Sequence, residues 1–169
     1  MVQGALSGTE NANREVILEA NPFPFTAGFS GVGNPELTSA TGGFSFPILG
    51  LAEATEYRVI TTTTPAVVSS VVLEDVAVQV SSHVARARRR HFVRIFGTVT
   101  PAEDGAQVGI LRIAHGRSVL VGGTTLRHRD ASSSQFSRVV PARAGVYRVL
   151  VRITSGGQSS NYGGPLLVR

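Results

Sequence analysis

Thr55-Glu56-Tyr57-Arg58-Val59 and Gly145-Val146-Tyr147-Arg148-Val149 each close a stretch of alternating polar and apolar residues, and the two tyrosines stand 90 residues apart. A Gly-led strand signal precedes each: Gly4-Ala5-Leu6-Ser7-Gly8 in the first case, Gly97-Thr98-Val99-Thr100-Pro101 in the second. The spans from Gly to Tyr are 53 and 50 residues, so the copies agree in internal length as well as in motif. Self-similarity at a fixed period identifies the folding unit before any single element does. The repeat predicts an all-β chain of two related sandwich units in tandem, 1–74 and 75–169.

Outward from the tyrosines the text alternates in twos, the period of a strand with one buried face. In the first unit the predicted strands are 2–9, 14–20, 44–48, 56–62 and 67–73, with Phe44, Phe46 and Ile48 on the core face. Asn21-Pro22-Phe23-Pro24-Phe25 should break regular pairing, because proline removes a ladder donor, while Phe23 and Phe25 plug the core from that edge. The second unit repeats the plan over 92–99, 107–113, 118–121, 124–129, 135–140, 147–153 and 166–168, with an extra strand beginning at Val76 in front. The first unit has nothing corresponding to 76–92. Its leading edge strand is missing, is supplied by another chain, or lies outside this stretch.

Composition agrees with strands and turns. Of 169 residues, 19 are Gly and 8 Pro, hydrophobic residues make up 42% and charged ones only 16%. Cysteine is absent, which rules out disulfides, thiolate nucleophiles and Cys-ligated metals. Lysine is absent too, so a Lys–Asn isopeptide cross-link is impossible and every basic side chain other than His is an arginine. Residues 1–15 lack the apolar core of a signal peptide, and no run reaches the length of a membrane span. An exported form would have lost its signal and anchor, or this stretch belongs to something longer.

The net charge of +5 conceals a division. Up to residue 74 two arginines face seven glutamates, a balance of −5; beyond it fourteen arginines face four carboxylates, a balance of +10. Charge asymmetry on this scale points to a partner.

Leu51-x-Glu53-x-Thr55-x-Tyr57-x-Val59 resembles the L-x-P-x-T-x-Y-x-V signature of fibronectin type III domains, with Glu53 in the usual place of Pro. The second copy keeps Tyr147 and Val149 but carries Arg143 and Gly145 where the signature has Pro and Thr. The chain as a whole is similar to tandem Ig-like repeats of secreted or surface actinobacterial proteins, through Gly97, Val99, Pro101, Val108, Ile110, Phe136 and Tyr147-Arg148-Val149. The resemblance implies two Ig-like, fibronectin type III-like sandwiches, with Tyr57 and Tyr147 as structural tyrosine corners. It also implies an extracellular or cell-surface structural or adhesive module.

Candidate chemistry is sparse. Gly28-Phe29-Ser30-Gly31-Val32-Gly33 fails as a nucleophile elbow, which needs Gly at 32, and as a dinucleotide fingerprint, because no helix follows. His83, His91, His115 and His128 lack zinc-site spacing. Glu74-Asp75 and Glu103-Asp104 are the only carboxylate pairs that an inter-domain calcium ion could use, with no D-x-D-x-D run to support one. The expectation is an enzyme-free chain without cofactor or metal.

The strongest signal is basic. Arg86, Arg88, Arg89, Arg90 and Arg94 crowd nine positions, and in extended backbone Arg86, Arg88 and Arg90 would share a face that Arg94 continues. Arg112, Arg127, Arg129, Arg138, Arg148 and Arg152 are expected on outward strand positions of the same unit. Guanidinium forks suit carboxylate, sulfate and phosphate groups. Without Trp to stack on bases, acidic polysaccharide or a cell-wall polymer fits better than specific nucleic acid, and nothing calls for membrane insertion.

Three functional readings follow. The first is a non-catalytic structural, spacer or adhesion module of a secreted or surface bacterial protein. It could self-associate head to tail into a homo-oligomer or filament as the acidic unit of one copy meets the basic unit of the next. The second is a polyanion-binding module acting through the Arg-rich unit, and the third an accessory domain of a larger extracellular hydrolase.

Overall fold

A computed structural model describes residues 1–169. The chain is all-β, no helix being present to cross a membrane, and it separates into two compact units, Met1–Val76 and Ala77–Arg169.

The first unit is built from β1 (Val2–Ala5), β2 (Glu15–Pro22), β3 (Ser30–Gly31), β4 (Glu36–Leu37), β5 (Gly43–Phe46), β6 (Thr55–Thr61) and β7 (Val72–Glu74). One sheet runs β3-β2-β6-β7, with β4 also paired to β2; the other is the two-stranded pair β1-β5. Alternation decides which side chains go in. Val16, Leu18 and Ala20 of β2 meet Tyr57 and Val59 of β6 and Phe46 of β5, with Val2, Phe44, Ile48 and Leu51 packed around them. Full burial of a Val, Leu or Phe contributes about 1.5–3 kcal/mol before chain entropy is charged against it, so this six-residue centre is a modest one.

Two details depart from the sequence reading. β2 continues through Asn21 and Pro22, paired with Glu56 and Thr55, so the first proline does not interrupt it. Phe23 and Phe25 do not enter the core: they stand half-buried and meet each other edge to face, centroids 5.6 Å apart. The loop between β1 and β2 is clamped instead by a residue without a local signature. Buried Thr38 accepts a hydrogen bond from Arg14 N at 2.9 Å through its Oγ1, which donates to Asn11 O at 2.6 Å.

The second unit consists of β8 (Gln79–Arg86), β9 (Phe92–Thr100), β10 (Gln107–Ala114), β11 (Arg117–Thr125), β12 (Arg127–Asp130), β13 (Ser133–Pro141), β14 (Gly145–Arg152), β15 (Asn161–Tyr162) and β16 (Leu166–Val168). One sheet is β12-β13-β9-β8; the other is β11-β10-β14, with β15 and β16 both paired to β14. Thirteen buried residues fill the space between, among them Ile95, Val99, Val108, Ile110, Phe136, Tyr147 and Val149. This core is twice the size of the first unit's, and the second unit carries the larger share of hydrophobic stabilisation.

The units follow one plan. Leu18 lies in register with Val59 as Ile110 does with Val149, and Gly4 with Phe44 as Gly97 does with Phe136. The strand order β3-β2-β6-β7 therefore matches β11-β10-β14-β16, and β1-β5 matches β9-β13. These are the two layers of an Ig-like, fibronectin type III-like sandwich.

Candidate anion-binding site

Four arginines fall within five residues at 86–90, and on one strand face like charges so close would oppose pairing. The chain resolves this by turning. β8 ends at Arg86, residues 87–91 form the connection to β9, and His91 takes a left-handed φ of 63°. Ala87 N donates to Phe92 O at 3.2 Å and Ala142 N to His91 O at 2.8 Å, fixing both ends of the connection.

The face expected for Arg86, Arg88, Arg90 and Arg94 is therefore not formed. Arg86 is in register with Val93 and Arg94 with Ala85, so their side chains leave opposite faces of the strand pair, while Arg88, Arg89 and Arg90 lie beyond it. What the hairpin builds is a groove. Arg86, Arg88, Arg89 and Arg94, with Ala87 and Val139, line an open depression of about 580 Å³. Arg90 is exposed beside it and is not one of its lining residues.

Two of the guanidinium groups there are held by rings but not neutralised. Arg89 lies over the Phe92 ring at 4.2 Å and Arg94 over the Phe96 ring at 4.6 Å, and the His83 ring is tilted against the Phe96 ring at 5.7 Å between centroids. Such stacking orients the planar fork without satisfying its N–H donors. None of the five arginines has a carboxylate within ion-pair distance. In the first unit both arginines are paired, Arg14 with Glu10 and Arg58 with Glu19, each at 2.6 Å. The phenylalanines under Arg89 and Arg94 were not part of the sequence reading. Their signal was present as Phe92-x-Arg94-x-Phe96, alternate positions that share a strand with the cluster.

The wider arginine set is not one surface. Arg127, Arg129 and Arg138 belong to β12 and β13, whereas Arg112, Arg148 and Arg152 belong to β10 and β14 in the opposite sheet. Arg112 does not point outward as expected: it is in register with buried Tyr147, is itself half-buried, and donates to Ala144 O at 2.9 Å.

A serine, an aspartate and a histidine do meet, at Ser134, Asp104 and His128. Their order is wrong for nucleophilic attack, because Asp104 stands between the other two. Ser134 is fully buried and gives its proton directly to Asp104, while His128 Nδ1 lies 3.1 Å from the second carboxylate oxygen. Ser134 Oγ also accepts from Glu103 N at 2.8 Å. The cluster ties the 101–105 turn to β12 and β13. Glu103 is pushed upward from the ordinary carboxylate range by burial, partly offset by its bond from Ser155.

The two tyrosines occupy matching places on β6 and β14, and both are buried. Tyr147 Oη donates to Arg143 O at 2.8 Å and accepts from Arg143 N at 3.2 Å. Burial pushes the Tyr57 phenol above its ordinary value, the Glu74 carboxylate adds to the rise, and a bond with the Thr55 side chain works against it. The glycine-rich stretch from Gly28 to Gly33 holds edge strand β3, anchored by Val32 N donating to Leu18 O at 2.8 Å.

No protein-family model matches the chain, and no curated protein does. Among solved structures, it is similar to the chicken interferon gamma receptor alpha chain, at 11% identity and a TM-score of 0.39, over 96% of this chain and 88% of that one. A likeness that distant says nothing about function. The strand order of each unit defines the class on its own: a tandem pair of Ig-like sandwiches.

Proposed function

We propose that the chain is a non-catalytic binding and spacer module of a secreted or surface-attached bacterial protein, and that its second unit holds an acidic polymer at the β8–β9 hairpin. One observation carries the reading: Arg88, Arg89 and Arg94, none with a carboxylate partner, line a single open groove that Arg86 also borders. Unpaired guanidinium forks at a surface keep their donors for sulfate, phosphate or carboxylate groups repeated along a chain. The second sandwich supplies a firm support, since Arg86 and Arg94 sit on paired strands and Arg89 rests on a ring.

The same groove serves the alternative of head-to-tail association, in which the acidic first unit of one copy takes the place of the polymer. Titration with a fluorescently labelled heparin oligosaccharide separates the two. The full chain should bind at low salt and release above about 0.5 M salt, where the Debye length falls below roughly 5 Å. The triple variant Arg88→Gln, Arg89→Gln, Arg94→Gln should lose most of the affinity without losing its fold. Equal affinity of the variant and the parent would remove the hairpin from the reading. Sedimentation showing salt-sensitive oligomers without heparin binding would favour the alternative.

A further inference from the structure

Antiparallel sheets of a sandwich turn apolar side chains inward and polar ones to water. The sheet β11-β10-β14 departs from this on its outer face. Ile110 and Val149 are buried and in register, so alternation sends Gly109, Leu111, Arg148 and Leu150 outward. Strand pairing then orders that face in three rows. Thr125, Gln107 and Arg152 form a polar row, Gly123, Gly109 and Leu150 the next, and Leu120, Leu111 and Arg148 the third. Over the middle row lies an open depression of about 400 Å³, walled by Leu111, Leu120 and Leu150 and bordered by Gln107, Thr125 and Arg152. Leu120 is 65% exposed.

The size of this depression and its apolar walls with a few polar groups at the border are those of a small-ligand site. The backbone does not require glycine in its floor. Neither Gly109 nor Gly123 has a left-handed φ. A Cβ at Gly123 would have only Val108 O within reach, at an ordinary 3.6 Å, and one at Gly109 would first meet the free end of the Leu120 side chain, at 3.3 Å. Gly122 on the inner face is different, since a Cβ there would press on Val140 at 2.8 Å. A glycine inside a strand forgoes side-chain packing and often marks close approach of a ligand.

We propose that this depression binds a small amphipathic anion, an aliphatic chain ending in one carboxylate. The chain lies among the three leucines, where the floor carries no side chain, and the carboxylate meets the planar fork of Arg152. Gln107 and Thr125, in the same row, supply neutral donors beside it. Charge complementarity selects the anion. β10, β11, β14, β15 and β16 contain Arg112, Arg117, Arg148 and Arg152 and not one Asp or Glu, so a cationic amphiphile, or the same face of a second copy, is repelled. The site is in the sheet opposite the β8–β9 hairpin and does not depend on polymer binding there.

The test is amide and methyl NMR of residues 1–169 titrated with sodium decanoate below its micelle concentration. Decanoate should saturate, shifting the methyls of Leu111, Leu120 and Leu150 and the amides of Gly109 and Gly123. Decyltrimethylammonium, with the same chain and the opposite charge, should bind at least about tenfold more weakly. Arg152→Gln should weaken decanoate about tenfold, the worth of one charge-assisted hydrogen bond. Gly123→Val fills the floor at a position with room for a side chain, and it should abolish decanoate binding while heparin affinity is kept. If Gly123→Val disturbs the fold, Leu120→Ser removes an exposed wall instead and should weaken decanoate about fivefold or more. Equal binding of the two amphiphiles, shifts elsewhere on the chain, or indifference to Arg152→Gln or to the floor and wall variants would overturn the proposal. So would shifts of these residues with phosphatidylglycerol vesicles but not with decanoate, which would make a bilayer the occupant. A dimer of the parent that Gly123→Val dissociates would overturn it too, in favour of a second copy.

Discussion

Tyr147 donates its phenolic proton to the carbonyl oxygen of Arg143, four residues earlier, while the Arg143 N–H donates back to the same hydroxyl oxygen. The ring is buried and the hydroxyl reaches the backbone at the entry to β14, so one side chain both fills the core and fixes the corner. Tyr147→Phe keeps the ring and removes both bonds. It should lower the unfolding free energy of the second unit by about 1 kcal/mol, measured in urea, and leave heparin affinity unchanged.

Gly4 and Gly97 hold matching positions but face different neighbours. A Cβ at Gly97 would lie 1.9 Å from Ser81 O, a backbone atom of the adjacent strand, and 2.9 Å from the Phe136 ring. A Cβ at Gly4 would meet the Phe44 ring at 2.6 Å, and its three nearest atoms all belong to that ring. Backbone held in a ladder cannot move aside as a ring can. Gly97→Ala should cost about 3 kcal/mol or more, and Gly4→Ala only about 1 kcal/mol. Paired urea melts of the two variants check the difference.

Asp130 caps the β12–β13 turn. Its carboxylate accepts from Ser133 Oγ at 2.8 Å, from Ser132 Oγ at 2.9 Å and from Ser132 N at 3.0 Å. These bonds, led by that from Ser133, favour the ionised form and lower its pKa from 3.8 to about 2. The folded state therefore binds this proton more weakly than the unfolded state does. The stabilisation is complete above 3.8 and is lost as pH falls through the folded value. Carboxyl ¹³C titration should place Asp130 near 2, and Ser133→Ala should move it upward.

Tyr57 has the opposite sign. Burial, helped by Glu74, raises its phenol above 10.0 in the folded first unit, so the folded state holds the proton more tightly. That contribution is fully present below pH 10 and disappears as pH climbs through the folded value. Ultraviolet titration of phenolate formation should show Tyr57 ionising later than a tyrosine in unfolded chain, and Glu74→Gln should bring it earlier.

Much of the fold could be read from the sequence because alternation and burial report the same thing. Val16-x-Leu18 and Val108-x-Ile110, the Gly4 and Gly97 signals, and the two tyrosines all occupy matching places. The arginine site was less legible. The alternation of Val76-x-Val78-x-Val80 stops at Val80, but β8 continues through polar Ser81, Ser82 and His83 because β9 offers a full-length partner. Where the strand ends, and hence which arginines share a groove, is decided by that pairing. Ser134 and Asp104 lie thirty residues apart with no local pattern, and Phe23 and Phe25 satisfy each other rather than the core.

The shared plan, with β1 paired to β5 alone where β9 is paired on both sides, is tested most directly by native-state amide exchange on residues 1–169, followed residue by residue by NMR. β9 has a partner on both sides and should be protected throughout Phe92–Thr100, apart from its ends. β1 should alternate, with Gly4 and Leu6 protected and Gln3 and Ala5 exchanging near the rate of unstructured chain, while Val59 and Val149 are both slow. Uniform protection along β1, or fast exchange at Val59 alongside slow exchange at Val149, would contradict it.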